Sequence, residues 1–134
     1  MKIASFNING IKARIQLLKE WLKKENPDII GLQELKSDNS NLNKNMFADL
    51  GYSFAYNGQK SYNGCGILSK YEIKNISYFF NGIQEDPQKR WISAEINGIL
   101  ICNLYLPNGN PLGTEKFEYK IHWMNLLYNY LKEL

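Results

Sequence analysis

The spacing of apolar residues changes twice along the first part of the chain. Residues 2–8 form a short strand-like run, and residues 28–33 form a compact apolar run typical of strands that are buried on both faces. Between them, residues 11–24 carry apolar side chains at helical spacing, at Ile11, Ile15, Leu18 and Leu22. Asn26-Pro27 ends this helix. A strand, a helix and a strand in so short a segment predict a βαβ unit with two parallel strands.

From residue 52 onwards the pattern changes to short strands. A polar loop over residues 37–45 and a short helix over residues 46–50 come first, and the predicted strands are residues 52–56, 64–69, 73–80, 91–96 and 99–106. Asn97-Gly98, between the last two strands, is a strong signal for a two-residue hairpin turn. Helical spacing returns at the end of the chain, through Phe117, Ile121, Met124, Leu127 and Leu131. We predict an α/β fold in a single domain over residues 1–134.

The predicted last helix ends the chain. In a layered α/β fold a further strand usually follows such a helix, because its apolar stripe must cover another layer. We therefore expect the domain to be truncated on its C-terminal side.

Composition and charge change this picture little. With 134 residues, of which 44% are hydrophobic and 22% charged, the chain suits one globular core. Its net charge of +3 is compatible with a polyanionic partner and does not require one. Cys65 and Cys102 lie in apolar runs, so we expect small buried side chains and neither a disulfide nor a metal pair. Without a leader or a membrane-spanning run, a cytoplasmic location is the expectation.

The carboxyl ends of the two predicted parallel strands carry the first candidates for chemistry. Asn7 and Asn9 follow the first strand and Glu34 follows the second, at the edge where open α/β sheets bind ligands. An amide beside a single carboxylate suits Mg²⁺, which takes few protein ligands and keeps several waters. In the alternative interpretation, Glu34 only begins a solvent-exposed loop. The residues alone leave both interpretations open.

Five blocks of the sequence resemble, in order, the exonuclease III / AP-endonuclease family. They are MKIASFNINGIKAR, PDIIGLQELK, GYSFAYNGQKSYNGCGILSK, QKRWISAEI and NLYLPNG, and together they cover nearly the whole chain. The resemblance implies the N-terminal half of a four-layer α/β sandwich, in which two packed mixed sheets are flanked by helices. It also implies a Mg²⁺-dependent DNA-repair nuclease that hydrolyses the phosphodiester 5′ to abasic sites, with Mn²⁺ as a substitute metal.

Three positions match active-site residues of that family. By this resemblance, Asn7 and Glu34 hold the metal and phosphate region, with Glu34 as the metal-binding carboxylate. Tyr105 matches the tyrosine whose hydroxyl approaches the scissile phosphate. Leu35 departs from the family pattern, which usually has threonine there, but the change leaves the carboxylate of Glu34 intact.

Other matches imply contacts with DNA or support for the site. Lys36, Lys60 and Tyr62 correspond to the family's DNA-binding surface, where lysine neutralises phosphate and an exposed aromatic ring presses into a groove or stacks on a base. Asn9 and Arg90 are expected to support the site. The implied partner is double-stranded DNA with abasic sites or 3′ ends, and no membrane.

The family's later motifs, a Gly-Asp-x-Asn block and a Ser-Asp-His block, do not occur in this chain. We therefore expect the chain to be inactive alone and to self-associate through apolar faces that it leaves uncovered. Two alternatives stay open: a non-catalytic DNA- or phosphate-binding remnant, and another branch of the superfamily such as a lipid or inositol phosphatase.

Overall fold

A computed structural model describes all 134 residues, which form two compact units. The first unit comprises Met1–Tyr78 and Gln88–Tyr105, and the second comprises Phe79–Pro87 and Leu106–Leu134. The elements in chain order are β1 (Ile3–Asn7), α1 (Ile11–Glu25), β2 (Ile29–Gln33), β3 (Ser53–Asn57), β4 (Cys65–Ser69), β5 (Lys74–Ser77), β6 (Trp91–Ile96), β7 (Ile99–Leu104) and α2 (Glu115–Lys132).

Four strands form the first sheet, in the order β1-β2-β4-β3. β1 and β2 run parallel, with Ile3 opposite Ile29 and Asn7 opposite Gln33. β4 runs antiparallel to both β2 and β3, so the sheet is mixed. Because α1 connects β1 to β2, the predicted βαβ unit is confirmed.

Helix α1 covers one face of this sheet. It ends at Asn26, which adopts the left-handed conformation and donates its backbone N–H to the carbonyl of Leu22, as helix C-caps commonly do. The buried side chains of α1 share one core cluster with residues of the first sheet. This cluster includes Ile11, Leu18 and Leu22 from the helix and Ile30, Leu32 and Leu68 from the strands.

Three antiparallel strands form the second sheet, in the order β5-β6-β7. β6 and β7 are joined by the predicted hairpin, in which Asn97 and Gly98 have φ of 52° and 74° and Ile96 lies opposite Ile99. Two successive positive φ values are what the tight turn of a two-residue hairpin requires. The hairpin prediction is therefore confirmed.

The two sheets pack face to face through a second apolar cluster. It unites Ile29, Ala55, Cys65 and Ile67 of the first sheet with Ile92, Ala94 and Ile96 of the second. A helix on one side of a pair of packed sheets confirms the predicted α/β class with two packed sheets and helices.

Strand β5 is shorter than its apolar pattern predicts. The expected strand over residues 73–80 is observed only as Lys74–Ser77, with a register shift against β6. Asn75 has φ of 50°, a left-handed conformation that interrupts the ladder. β5 is also an edge strand with an exposed face, so packing does not extend it.

In the second unit, helix α2 buries an aromatic side chain in place of the predicted stripe. Trp123 is the buried residue of α2, and its ring centroid lies 5.4 Å from that of Phe80 with the two rings nearly perpendicular. Ile121, Met124 and Leu131, which the helical spacing assigns to the apolar stripe, are exposed. The predicted helix is confirmed, but its apolar stripe is not its buried face. Neither helix of the chain is long and apolar enough to cross a membrane.

Both cysteines are free, and we expect them to react at different rates with thiol reagents. Cys65 is buried, and burial raises the pKa of its thiol to about 12. Cys102 is only partly buried, contrary to the expectation from sequence, and this partial burial also raises the pKa of its thiol. A raised thiol pKa keeps the group protonated at pH 8, where roughly one Cys65 in ten thousand is ionised. In single-thiol variants, Cys102 should react with Ellman's reagent at pH 8 before unfolding and Cys65 only after it. Equal rates in native and urea-unfolded chain would contradict this for Cys65.

Candidate active site

The carboxyl ends of β1 and β2 are tied together beyond the last residues of both strands. Gly10 donates its backbone N–H to the carbonyl of Glu34 at 2.8 Å, and Ile11 donates to the carbonyl of Leu35 at 3.0 Å. The loops after the two strands therefore continue the parallel pairing. This brings the predicted site residues of both loops to one edge of the sheet.

Three residues of these loops hold the backbone in the left-handed region. Asn9, Glu34 and Lys36 have φ of 46°, 54° and 50°. Asparagine tolerates this conformation, but for glutamate and lysine it costs of order 1–3 kcal/mol each. Neighbouring backbone bonds hold the strained segment in place, including Leu35 N–H to the carbonyl of Gly64 at 3.0 Å. Strain of this kind gathers at functional sites, where it fixes the direction of a side chain.

The carboxylate of Glu34 interacts with side chains from three parts of the chain. Asn7 donates its Nδ2 to Glu34 Oε1 at 2.7 Å, Lys36 Nζ lies 3.3 Å from Oε2, and the Tyr105 side chain lies near enough to influence the pKa of the carboxylate. We call Asn7, Glu34, Lys36 and Tyr105 the contact group. Burial raises the pKa of Glu34, but the interactions with Asn7, Tyr105 and Lys36 outweigh it and hold that pKa below the ordinary value. Glu34 is therefore an ionised carboxylate at neutral pH.

Tyr105 follows directly after β7 and is held there by Arg90. The Tyr105 N–H donates to the carbonyl of Arg90 at 2.8 Å, and Arg90 Nη1 donates to the carbonyl of Tyr105 at 3.1 Å. The guanidinium also lies over the tyrosine ring, 4.9 Å from its centroid. Burial and the neighbouring Glu34 raise the pKa of Tyr105. Its hydroxyl is therefore protonated at neutral pH and can donate a hydrogen bond.

Asn9 links Lys36 to Asn7. Lys36 Nζ donates to Asn9 Oδ1 at 2.6 Å, and the Asn9 backbone N–H donates to Asn7 Oδ1 at 3.1 Å. Through these bonds Asn9 orients both neighbours. The supporting roles predicted for Asn9 and Arg90 are consistent with these contacts and stay predictions.

The loop of residues 58–64 carries the other two predicted DNA-facing residues. Lys60 and Tyr62 are both exposed, and the Tyr62 N–H donates to the carbonyl of Lys60 at 2.8 Å. Neither side chain joins the contact group. Lys36, by contrast, folds back onto Glu34 and Asn9, so binding phosphate would require it to exchange one of these partners.

The donor set fits a hard cation only sparsely. Glu34 supplies one carboxylate, whose side chain is 20% exposed. Asn7 presents Nδ2 to that carboxylate while its Oδ1 accepts from Asn9, so Asn7 could bind a metal only after turning its amide. The chain contains no group of three or more His, Cys, Asp or Glu side chains that could hold a metal. One carboxylate with waters and substrate phosphates is still an arrangement that Mg²⁺ accepts.

Two residues beneath the contact group were not singled out from the sequence. Gln33 and Asn103 are buried, and their side-chain amides are bonded to each other. Their signal in the sequence is a polar residue within an otherwise apolar strand run, DIIGLQ for the first and ILICNL for the second. An amide is placed in such a run when its hydrogen bonds are satisfied in the core.

Two curated proteins are similar to this chain in sequence. The chain is 38% identical to exodeoxyribonuclease III of Haemophilus influenzae. The match covers 99% of this chain and 52% of that relative. It is 34% identical to a DNA-(apurinic or apyrimidinic site) endonuclease of Dictyostelium discoideum, with 100% of the chain and 38% of the relative covered. The chain thus spans about half, or less, of the length of the curated relatives it matches.

Solved structures give the same result. An AP endonuclease from Archaeoglobus fulgidus superposes with a TM-score of 0.94 at 36% identity, covering 99% of this chain and 51% of that one. A 3′ phosphatase from Neisseria, solved with a product DNA hairpin, superposes with a TM-score of 0.93 at 32% identity, covering 99% and 52%. The resemblance read from the five sequence blocks is thereby confirmed. Residues 4–133 match the model of the endonuclease/exonuclease/phosphatase family, and the chain belongs to that family.

Proposed function

We propose that the chain forms part of a DNA-repair nuclease that hydrolyses phosphodiester bonds 5′ to abasic sites and trims 3′ ends. The observation that carries this proposal is the contact group, in which Asn7, Lys36 and Tyr105 converge on the carboxylate of Glu34. The relatives support the class of reaction, since they are named as exonuclease III and AP endonucleases.

We propose Mg²⁺ as the cofactor, with Mn²⁺ as a substitute, held by Glu34 and by Asn7 after its amide turns. Bound there, the metal would neutralise charge that develops on the phosphate. Glu34 is already ionised, so it needs no deprotonation before binding a cation. The Tyr105 hydroxyl, which is protonated, can donate to a phosphate oxygen, and Lys36 can offer its charge to the same group.

We further propose that Lys60 and Tyr62 contact DNA beside the site. Both side chains are exposed, with Tyr62 at 69%, and both lie in one loop. An exposed lysine beside an exposed aromatic ring can neutralise a phosphate and press into a groove or stack on a base. The partner would be double-stranded DNA with abasic sites or 3′ ends, and a cytoplasmic location remains the expectation.

The chain alone is expected to cut slowly or not at all. Its contact group contains donors and a metal ligand, but the water-activating aspartate and the histidine that the resemblance implies are not among its residues. A general base alone is commonly responsible for about two to four orders of magnitude in rate. When several catalytic groups act together, the losses of rate from removing each of them do not add up.

The test is incision of a labelled duplex that carries one abasic-site analogue, in Mg²⁺ and in EDTA, at chain concentrations up to saturation of DNA binding. Inositol phosphates serve as the alternative substrate. The proposal predicts binding of the duplex, incision below detection, and no release of phosphate from inositol phosphates. Hydrolysis of inositol phosphates would replace the proposed branch with a phosphatase. Metal-dependent incision would support the nuclease and refute the inactivity of the chain. A chain that binds no DNA would refute the proposal.

A non-catalytic DNA-binding protein is the second candidate, favoured by the single carboxylate of the site and the pI of about 8.8. Either candidate predicts that DNA affinity falls as salt rises, because bound lysines release counterions. Lys60→Ala should lower the slope of log affinity against log salt by about one. Lys24→Ala, an exposed lysine at the end of α1, is the matched control and should leave the slope unchanged. Equal slopes for both variants would remove Lys60 from the DNA surface.

We also propose that the chain self-associates. Several large apolar side chains are 40–70% exposed, and they include Ile3, Phe6, Leu17, Ile99, Leu100, Ile121, Met124 and Leu131. Exposed apolar surface of this kind favours association, so sedimentation should give a mass above 15.6 kDa that increases with concentration. A monomeric mass, with the same melting temperature in dilute and concentrated samples, would contradict this.

A further inference from the structure

A buried pair of amide side chains lies directly beneath the contact group. Gln33 precedes Glu34 in the chain, and Asn103 lies two residues before Tyr105. Gln33 Nε2 donates to Asn103 Oδ1 at 2.7 Å, and both side chains are less than a tenth exposed. The bond therefore joins the end of β2, in the first sheet, to the end of β7, in the second.

Asn103 is held at three points. Its Nδ2 donates to the carbonyls of Leu32 and Gly66, each at 2.8 Å, while its Oδ1 accepts from Gln33. Gly31 leaves the space that this amide fills, since a Cβ there would lie 2.8 Å from Asn103 Oδ1. With both ends bonded and the space matched, the amide cannot turn without losing a hydrogen bond in the core.

The same nitrogen of Gln33 has further acceptors nearby. Its Nε2 also lies 3.1 Å from the hydroxyl of Ser5 on β1, and 3.3 Å from the carbonyl of Gly31. The network thus connects β1, β2, β4 and β7 through side chains. The three strands that carry or precede members of the contact group, β1, β2 and β7, are all included.

Apolar packing cannot supply the same restraint. Apart from a hydrogen bond from Asn57 Nδ2 of β3 to the carbonyl of Trp91 of β6 at 2.8 Å, the contact between the sheets is otherwise made mainly by apolar side chains. The hydrophobic effect that holds these side chains together is not directional. The Tyr105 hydroxyl and the Glu34 carboxylate come from different sheets, and a hydrogen bond between them weakens steeply with small changes of distance or angle. A fully bonded polar network in the core can fix one arrangement where an apolar interface permits sliding.

We propose that Gln33 and Asn103 are positioning residues that set the distance between the Glu34 carboxylate and the Tyr105 hydroxyl. Neither touches the substrate in this proposal; both act through the two residues of the contact group that they precede. The importance of that distance for the reaction rests on the proposed function, whereas the positioning itself is a property of the chain and can be measured without metal or DNA.

The test uses the full chain with ¹³Cζ-labelled tyrosine, and Tyr105→Phe assigns the Tyr105 resonance. Glu34→Gln marks the position of this resonance when the carboxylate is gone. The test variant is Gln33→Met, which removes one amide and keeps the bonds of Asn103 to Leu32 and Gly66. Asn103→Ser is a second variant, because its shorter side chain keeps a donor and gives up the contact with Gln33. The matched control is Ile96→Ala, which destabilises the same contact between the sheets at its opposite end.

The proposal predicts that Gln33→Met and Asn103→Ser move the Tyr105 resonance at least half of the way to its position in Glu34→Gln. Ile96→Ala should leave the resonance in place in the folded chain, even when this variant loses as much stability as the two amide variants. Mn²⁺ affinity should fall about 10- to 100-fold in the two amide variants, as it does when residues that orient a metal ligand are lost, and stay unchanged in the control.

Two results would overturn the positioning role. The first is a Tyr105 resonance that stays at the wild-type position in both amide variants, or that moves equally in Ile96→Ala. The second is a resonance that does not respond to Glu34→Gln, because there would then be no contact to position. Failure of the proposed function would look different: the wild-type chain would bind neither Mn²⁺ nor DNA, while the resonance would still decide the positioning role.

Discussion

Replacement of Glu34 by glutamine is expected to lower the affinity of the chain for Mn²⁺ by at least about 100-fold. Glu34 is the only carboxylate of the contact group. Loss of a residue that merely orients a metal ligand already lowers metal affinity by about 10- to 100-fold. Glutamine keeps the size of the side chain and one oxygen acceptor, while its NH2 group replaces the oxygen that faces either Asn7 or Lys36. The loss would therefore report the charge and the second oxygen, and not a collapse of the loops.

The matched control is Glu20→Gln, which removes the same charge from an exposed position on α1. Titration with Mn²⁺, followed by the loss of the free-ion electron paramagnetic resonance signal, measures both variants. Mn²⁺ affinity equal to wild type in Glu34→Gln would refute Glu34 as the metal ligand. An equal loss in both variants would show that the net charge of the chain, and not the site, controls binding.

Glu34 also determines in which direction the stability of the fold changes with pH. Hydrogen bonds hold the pKa of Glu34 below its ordinary value despite burial, so the folded chain keeps this carboxylate ionised at a pH where an unfolded chain binds a proton. The contact group therefore stabilises the fold above the ordinary glutamate pKa of about 4.3, and this contribution is lost as the pH falls through the lower pKa of the folded state.

Replacement of Ile96 by alanine is expected to lower the free energy of unfolding by about 2–5 kcal/mol. Ile96 is completely buried in the cluster between the two sheets, and truncation of such a side chain removes its burial and leaves a cavity. The total free energy of unfolding of a small domain is only about 5–15 kcal/mol, so the expected loss is a large part of it.

Ile99 provides a control in the same hairpin. It lies directly opposite Ile96 across the Asn97-Gly98 turn but is 45% exposed. Ile99→Ala should lower the free energy of unfolding by less than about 1 kcal/mol, because truncation of an exposed side chain leaves no cavity. Urea unfolding at equal protein concentration measures both. Similar losses in the free energy of unfolding for the two variants would show that burial of Ile96 between the sheets contributes little to stability.

The site combines residues that are far apart in the chain, and its parts differ in how they are held. Asn7, Glu34 and Lys36 belong to one βαβ unit, and backbone bonds between its two loops bring them together. Tyr105 arrives from the second sheet, and no strand pairing joins it to Glu34. This division explains why the buried amides are placed where the two sheets meet beneath the site.

Much of the fold follows from local patterns. The helical spacing of residues 11–24 and the apolar run of residues 28–33 are each short-range features, and the observed α1 and β2 match them within a few residues. Asn97-Gly98 is equally local, because a tight turn with positive φ at both positions favours these two residue types. Where the prediction was wrong, as at the end of β5 and on the buried face of α2, packing and backbone conformation overrode the local pattern.

The sequence by itself therefore determined the elements, the parallel βαβ unit and the edge of the sheet at which Asn7 and Glu34 meet. These depend on side-chain period and on the geometry of a crossover connection, both of which can be read along the chain. Only the tertiary structure decided the approach of Tyr105 to Glu34, the inward turn of Lys36 and the bond between Gln33 and Asn103. These contacts join residues up to 71 positions apart, and a hydrogen bond depends on distance and angle in space, which no spacing along the chain specifies.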